Sequence, residues 1–221
     1  LVGDCLDDAE SVEMPPNSYR PFWLTVDVPE SARPGKYAGT VKAVAQGGRS
    51  IVFDVSLNVQ GRTLPSPRDW KFFLDLWQHP LAVARYHGVK PWSKEHYSLL
   101  RPLLRELADI GQKTITATLT DLPWNHQNFD PYYTMVRHVK GKDGKFTHDY
   151  GLFDEWVSFA QECGLGPQIH CYTMVTWGNL VHYIDGATGD RIAEKLVPGT
   201  PGHEAFWGPF LADFQRHVES K

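Results

Sequence analysis

From residue 71 onward the chain alternates between short apolar runs and longer helical patterns, and it does so three times. That alternation constrains the fold more than any other feature. Strand–helix–strand units imply parallel strands, and right-handed crossovers put the loops that follow them on one edge. The first unit opens with Lys71-Phe72-Phe73-Leu74-Asp75-Leu76, read as a buried strand. Ser93 is placed to cap a helix that carries Tyr97, Leu100, Leu103, Leu104, Leu107 and Ile110 at helical spacing, with Gly111 as its stop. Pro102 inside that pattern predicts a kink or a split. Thr114-Ile115-Thr116-Ala117-Thr118-Leu119 is the second strand. Residues 120–148 are long for a strand-to-helix connection and hold a hairpin signal, Asp143-Gly144, between 135–140 and 145–147.

The third unit starts at Asp149 as cap, with Leu152, Phe153, Trp156, Val157, Ala160 and Cys163 as its apolar stripe and Gly164 as its stop. Gln168-Ile169-His170-Cys171-Tyr172 is the third strand. A second long loop, 173–199, precedes a helix capped by Thr200 with Pro201 in its first turn. Phe206, Trp207, Phe210, Leu211, Phe214 and Val218 should face the core, and Gly208-Pro209 predicts a late start to the regular helix. Three parallel strands cannot close a barrel that needs eight. The expected fold class is therefore α/β, a partial (β/α)8 TIM-type barrel of about three βα units. An open parallel layer would expose an aggregation-prone edge, so the natural chain is expected to continue past Lys221.

Upstream the periodicity differs. Phe22-Trp23-Leu24-Thr25-Val26-Asp27-Val28 reads as a strand, and so do residues 36–44 and 51–59, the last two joined by a turn at Gln46-Gly47-Gly48-Arg49. Short strands at this spacing suggest an antiparallel β-sandwich, partial because only about three strands are visible. The expected division is a sandwich-like domain at 1–62, a linker at 63–70 around Pro65 and Pro67, and the barrel portion at 71–221.

The 22 basic and 26 acidic residues are interspersed and leave a net charge of −4, which argues against a nucleic-acid surface. No apolar run is long enough to span a bilayer. Cys5, Cys163 and Cys171 have no metal-ligand or redox spacing and read as buried thiols. His79 with His87, and His170 with His182, lack ligand spacing, so no metal is expected. No phosphate-cradling glycine loop or nucleophile elbow is present, and no cofactor is expected.

The eight Trp residues carry more information, since several follow predicted strands, where barrel enzymes build their pockets. Asp75, Trp77, Gln78, His79 and Arg85 follow the first strand, Asp121, Trp124 and Asn125 the second, and Tyr172 and Trp177 the third. Aromatic faces stack on the apolar face of a pyranose, while amides, carboxylates and Arg meet its hydroxyls. A single such Trp is better explained as packing beneath a long loop. Three loops of like composition on one edge point to a sugar pocket. The substrate-binding candidates are Asp75, Trp77, His79, Arg85, Trp124, Asn125, Tyr172 and Trp177. Glycosidic cleavage usually takes two carboxyl groups. Asp75, Asp121, Asp130 and Asp185 lie in the right zone, but no pair stands out, and solvated or capping roles are expected of each.

Phe73-Leu74-Asp75-Leu76-Trp77-Gln78-His79-Pro80, followed by Ala82-Val83-Ala84-Arg85-Tyr86-His87 and Pro91-Trp92-Ser93, resembles glycoside hydrolase family 123. The resemblance continues through Asp121-Leu122-Pro123-Trp124-Asn125, Phe129-Asp130-Pro131-Tyr132 and the strand at 168–174, and Arg20-Pro21-Phe22-Trp23-Leu24 with residues 35–41 is similar to the sandwich that precedes the family's barrel. It implies β-N-acetylgalactosaminidase-type, retaining hydrolysis of terminal N-acetylhexosamine on glycans or glycolipids. In that chemistry the substrate's 2-acetamido oxygen attacks the anomeric carbon, an Asp steadies the oxazolinium, and the adjacent Glu is general acid/base. Asp154-Glu155 falls in the first turns of a helix, where acidic residues suit the dipole, and is not assigned that role. The resemblance places the Asp-Glu pair on a later strand, beyond Lys221, so these residues alone are expected to bind sugar poorly and hydrolyse nothing. It also implies an exported protein. A non-catalytic carbohydrate-binding or scaffold protein on the same barrel is the alternative, and a barrel hydrolase for another sugar is a third.

Overall fold

The computed structural model describes residues 9–221, and the chain divides into two compact units between Leu64 and Pro65. Cys5 lies outside the described residues.

In the first unit β1 (Gly35–Val44) and β2 (Ser50–Val59) form an antiparallel hairpin with Tyr37 opposite Leu57 and Val41 opposite Phe53. Its turn uses Gly47 and Gly48 at φ +91° and +84°, a region that L side chains rarely adopt. Alternation then puts Tyr37, Val41, Ile51, Phe53, Val55 and Leu57 on one face, with Lys36, Thr40, Asp54 and Asn58 on the other. The strand expected at 22–28 takes no ladder position, and Phe22, Trp23 and Leu24 are exposed. Its side-chain pattern suits a strand, but a strand also needs a neighbour's backbone, and none of the described residues supplies one.

The second unit contains α1 (Pro80–His87), α2 (Lys94–Asp109), β3 (Thr114–Thr118), β4 (Arg137–Lys140), β5 (Phe146–Asp149), α3 (Gly151–Glu162), β6 (Gln168–Tyr172), β7 (Leu180–Asp185), β8 (Arg191–Lys195) and α4 (Pro201–Glu219). The fold is mixed α/β, and among the described residues no sheet closes into a barrel. β3 and β6 pair in parallel, Thr116 beside His170 and Thr118 beside Tyr172.

The first expected strand is reduced to one parallel bridge, Leu74 to Gln112. Side-chain amides replace the ladder beyond it. Gln112 Oε1 accepts from Leu76 N at 2.8 Å, and its amide nitrogen donates to Leu76 O at 3.2 Å and Thr114 O at 2.6 Å. Gln78 Oε1 accepts from Thr116 N at 2.7 Å, and Gln78 N donates to Thr116 Oγ1 at 3.2 Å. Beyond the Leu74 bridge, residues 76–78 therefore run beside β3 through side-chain hydrogen bonds of Gln112, Gln78 and Thr116 rather than through a backbone ladder.

The caps at Ser93 and Thr200 form as expected, accepting from His96 N and His203 N at 3.2 and 3.4 Å. Gly111, at φ +93°, ends α2 in the left-handed conformation. Neither Pro102 nor Gly208-Pro209 divides its helix. The buried stripe of α2 is His96, Leu100, Leu104 and Ala108, four residues apart, whereas Leu103 and Ile110 are exposed. Leu211 and Val218 on α4 are exposed as well. His96 accepts from Trp92 N at Nδ1 and donates from Nε2 to Pro80 O, which fastens α2 to the start of α1. Tyr150, not Asp149, caps α3, and Asp149 accepts from Gly151 N instead.

Ile115, Ala117 and Leu119 enter the core with Leu104, Phe153, Trp156 and Ala160, and Trp156 donates to Thr116 O at 2.9 Å. Phe206, Trp207 and Phe210 bring α4 into the same core. Cys163 is buried and Cys171 half-buried, both free, and burial pushes the Cys171 thiol up to about 11. The hairpin read at Asp143-Gly144 forms as β4–β5. The second long loop holds what the sequence concealed, a hairpin β7–β8, and a parallel contact between β4 and β7 joins the two into one four-stranded sheet ordered β5-β4-β7-β8.

Candidate functional site

Thr114, Thr116 and Thr118 occupy the face of β3 opposite its apolar core residues, and all three are buried. Small side chains along this face let residues from the neighbouring segments meet above the strand. Trp77 and Tyr172 do so with ring centroids 4.9 Å apart. Trp124, from the loop after β3, stacks on Trp77 at 4.8 Å and 19° and lies 5.0 Å from Tyr172. Trp124 is 7% exposed while Trp77 is 53% exposed, so a buried ring supports an accessible one. The peptide bond between Tyr172 and Thr173 is cis.

Contacts extend the cluster toward α1. Tyr132 meets Trp124 edge-on at 5.0 Å and lies against His79 at 3.8 Å. Burial lifts the Tyr132 hydroxyl to about 12, so it stays protonated at neutral pH. His79 Nε2 donates to Asp130 O at 2.9 Å, and Arg85 donates to Asp130 Oδ1 at 2.6 Å with its guanidinium over Phe129. Trp177, 63% exposed, donates its backbone N–H to Pro123 O. The same loop brings Gly178 so near Asn125 that an added Cβ would lie 2.9 Å from Asn125 Oδ1. Asn125 is exposed, at φ +53°. The structure thus brings Trp77, Trp124, Tyr172, His79 and Arg85 into one chain of contacts and ties Asn125 and Trp177 together beside it. Asp75 lies below the rings, 2.6 Å from His170 Nδ1.

The carboxylates differ from expectation. Asp121 and Asp130 are buried, not solvated, because each has an arginine: Arg191 pairs with Asp121, and Arg85 with Asp130. Asp185, at the end of β7, accepts from Ala187 N at 2.8 Å in the turn to β8. Sequence reasoning gave Tyr132 and Arg191 no role at the site and weighed His170 only as a metal ligand. The adjacent pair Tyr132-Tyr133 inside a long loop was the available signal, since Tyr132 is buried among the aromatics while Tyr133 is exposed.

A cleft of about 480 Å³ lies on the Tyr133 side, lined by Asp121, Arg137, His138, His182 and Arg191 among others. A groove of about 440 Å³ runs between α2 and α3, where Glu155 faces Tyr97. The stacked aromatics line neither. Among the described residues no group of three His, Cys, Asp or Glu side chains is placed to hold a metal ion, and no helix is long and apolar enough to cross a membrane.

The catalytic-domain model of glycoside hydrolase 123 matches residues 77–221, and the N-terminal-domain model of the same family matches residues 1–45. The chain belongs to glycoside hydrolase family 123. Solved structures agree. A family 123 glycoside hydrolase from Clostridium perfringens, studied for glycolipid glycan hydrolysis, is similar at 32% identity and a TM-score of 0.80 over 87% of this chain. The match covers 35% of that protein, so the chain spans about a third of its length. No curated protein matches. In this family 123 chain all the aromatic contacts just described fall within the catalytic-domain match, because Trp77 is its first residue.

Proposed function

We propose that residues 71–221 are the first part of a (β/α)8 catalytic barrel, with residues 74–78, β3 and β6 as its first staves, behind a partial β-sandwich at 1–62 and a linker at 63–70. The barrel portion supplies the stacking side of a site for a terminal N-acetylhexosamine, N-acetylgalactosamine first, on a glycan or glycolipid. The carrying observation is Trp77, more than half exposed and stacked on buried Trp124 against Tyr172. A half-exposed indole held on a rigid aromatic base presents the flat apolar surface that a pyranose face covers.

The reaction assigned to the complete site is retaining, substrate-assisted hydrolysis, in which the acetamido oxygen is the nucleophile. This chain's part is to hold the ring so that the acetamido group folds beneath the anomeric carbon. The acid pair is expected in the portion of the longer relative that these residues do not match. Asp75, Asp121 and Asp130 are already committed to His170, Arg191 and Arg85. Asp154 is held by His217 and Lys221, and Glu155 borders the groove between α2 and α3.

Titration of tryptophan fluorescence with N-acetylgalactosamine tests the reading. Weak, saturable quenching is expected, and Trp77→Ala should remove it while leaving the unfolding midpoint nearly unchanged. Saturable quenching that survives Trp77→Ala would transfer the site elsewhere.

A further inference from the structure

Side chains two residues apart on an extended segment share a face, so β6 sets His170 one layer below Tyr172. On the other side of β3 the segment at 74–78 repeats the arrangement, with Asp75 two residues before Trp77. Its bonds are to Thr114 O and Thr116 N, the β3 groups that face away from β6. Two contacts therefore cross β3 in successive layers. Trp77 meets Tyr172 level with Thr118, and Asp75 meets His170 level with Thr116.

With the Gln168 amide nitrogen facing the ring, a neutral imidazole has one proton arrangement that satisfies both hydrogen bonds of the lower contact. A carboxylate accepts only, so the 2.6 Å contact from His170 Nδ1 to Asp75 Oδ2 puts the proton on Nδ1. That leaves Nε2 as an acceptor, and the Gln168 amide nitrogen lies 2.6 Å from it with hydrogens to donate. Both ring nitrogens are occupied and the imidazole plane is set. Among the described residues Asp75 Oδ1 is buried without a hydrogen-bond partner, and His170 is the one side chain that hydrogen-bonds the carboxylate.

We propose that Asp75 and His170 form a positioning dyad that fixes the backbone and ring orientation of Trp77 against Tyr172 and thereby sets the affinity of the platform. The proposal rests on the carbohydrate reading of the platform. It assigns Asp75 to the layer beneath the sugar rather than to a sugar hydroxyl, and it gives His170 a role outside metal binding. Removing the imidazole leaves a half-buried carboxylate without its donor, which should turn Asp75 toward water and shift Trp77 with it.

The 221-residue chain, His170→Asn, His170→Phe and Asp75→Ala are compared. The Asn amide nitrogen reproduces Nδ1 as a donor to Asp75, and Phe keeps ring volume without a donor. The readouts are the exciton-coupled circular dichroism of the stacked Trp77 and Trp124, N-acetylgalactosamine affinity by tryptophan fluorescence, and ¹⁵N NMR of the His170 ring in the unmodified chain. His170→Phe and Asp75→Ala should lose the couplet and weaken binding by about tenfold, and His170→Asn should restore both to within about twofold. The NMR signals should place the neutral ring's proton on Nδ1. A proton on Nε2 overturns the proposal, and so does a couplet and affinity unchanged in His170→Phe. An unmodified chain that binds no N-acetylgalactosamine sinks the carbohydrate reading alone. The couplet and the NMR signals still decide the dyad, and the NMR measurement does so even where a substituted chain does not fold.

Discussion

Asp121 and Arg191 form an ion pair between residues 70 positions apart in sequence, joining the end of β3 to the last strand of the four-stranded sheet. Asp121 is 3% exposed, and its second oxygen accepts from Thr134 N at 2.7 Å, so one carboxylate fastens both long loops to the strand end. His182 Nδ1 stands 3.7 Å from the paired oxygen. Arg191→Met leaves the carboxylate buried beside that histidine. Half of the Arg191 side chain is exposed, so the loss is smaller than for a fully buried pair, about 2 kcal/mol, and should lower the urea midpoint. Burial holds the His182 pKa below its ordinary value, Asp121 pulls it up and Arg191 pushes it down. Removing Arg191 should therefore raise it, as followed by NMR titration.

Acid should loosen the four-stranded sheet from β3. His138 Nε2 donates to Leu119 O at 2.9 Å, so its Nδ1 accepts the proton of His148 Nδ1 at 3.1 Å. Burial lowers His138 to about 4 from an ordinary 6.5, and burial lowers His148 as well. Between those two values the unfolded chain binds a proton that the folded chain refuses. Stability from this group is complete above pH 6.5 and falls as pH drops toward 4, by up to about 3 kcal/mol. Urea midpoints measured across that interval should decline, and His138→Gln, which keeps a donor for Leu119 O, should flatten the decline. A wild-type midpoint constant over the interval contradicts the assignment.

Gln112 stands in for a strand's backbone. Gln112→Met conserves volume and deletes the bonds to Leu76 N, Leu76 O and Thr114 O, at about 2 kcal/mol. Hydrogen exchange should show the Leu76 amide losing protection first, ahead of the β3 amides. Equal loss in both would mean that the segment is held by other contacts.

Incubation with p-nitrophenyl N-acetylgalactosaminide should release no nitrophenol. Asp121, Asp130 and Asp75 are each bound to a cation or histidine, at Arg191, Arg85 and His170. Robust release, lost in Asp75→Asn, would give Asp75 a catalytic role and remove the positioning assignment.

Some of this was legible locally. Ser93 and Thr200 announced α2 and α4, the glycines at 111 and 164 marked two stops, and the alternating runs at 114–118 and 168–172 formed a parallel pair as read. Caps, stops and periodicity depend on residues within one turn or one strand of each other, so the sequence by itself determined these elements and the edge on which their loops emerge. It also determined that aromatics would gather there.

Tertiary structure alone decided how they were used. The segment at 71–76 has a strand's side chains, yet the backbone groups of Leu76 bond to the Gln112 and Gln78 amides in place of a ladder. β7 and β8 were invisible inside a loop because β8 pairs with β7 and β7 in turn pairs with β4, some forty residues earlier. Asp75 was placed at the strand end by the sequence, and only the structure shows its contact with His170, 95 residues away. Hydrogen bonds across such distances depend on which surfaces the packed core brings together, and that is a property of the whole contact set rather than of any window along the chain.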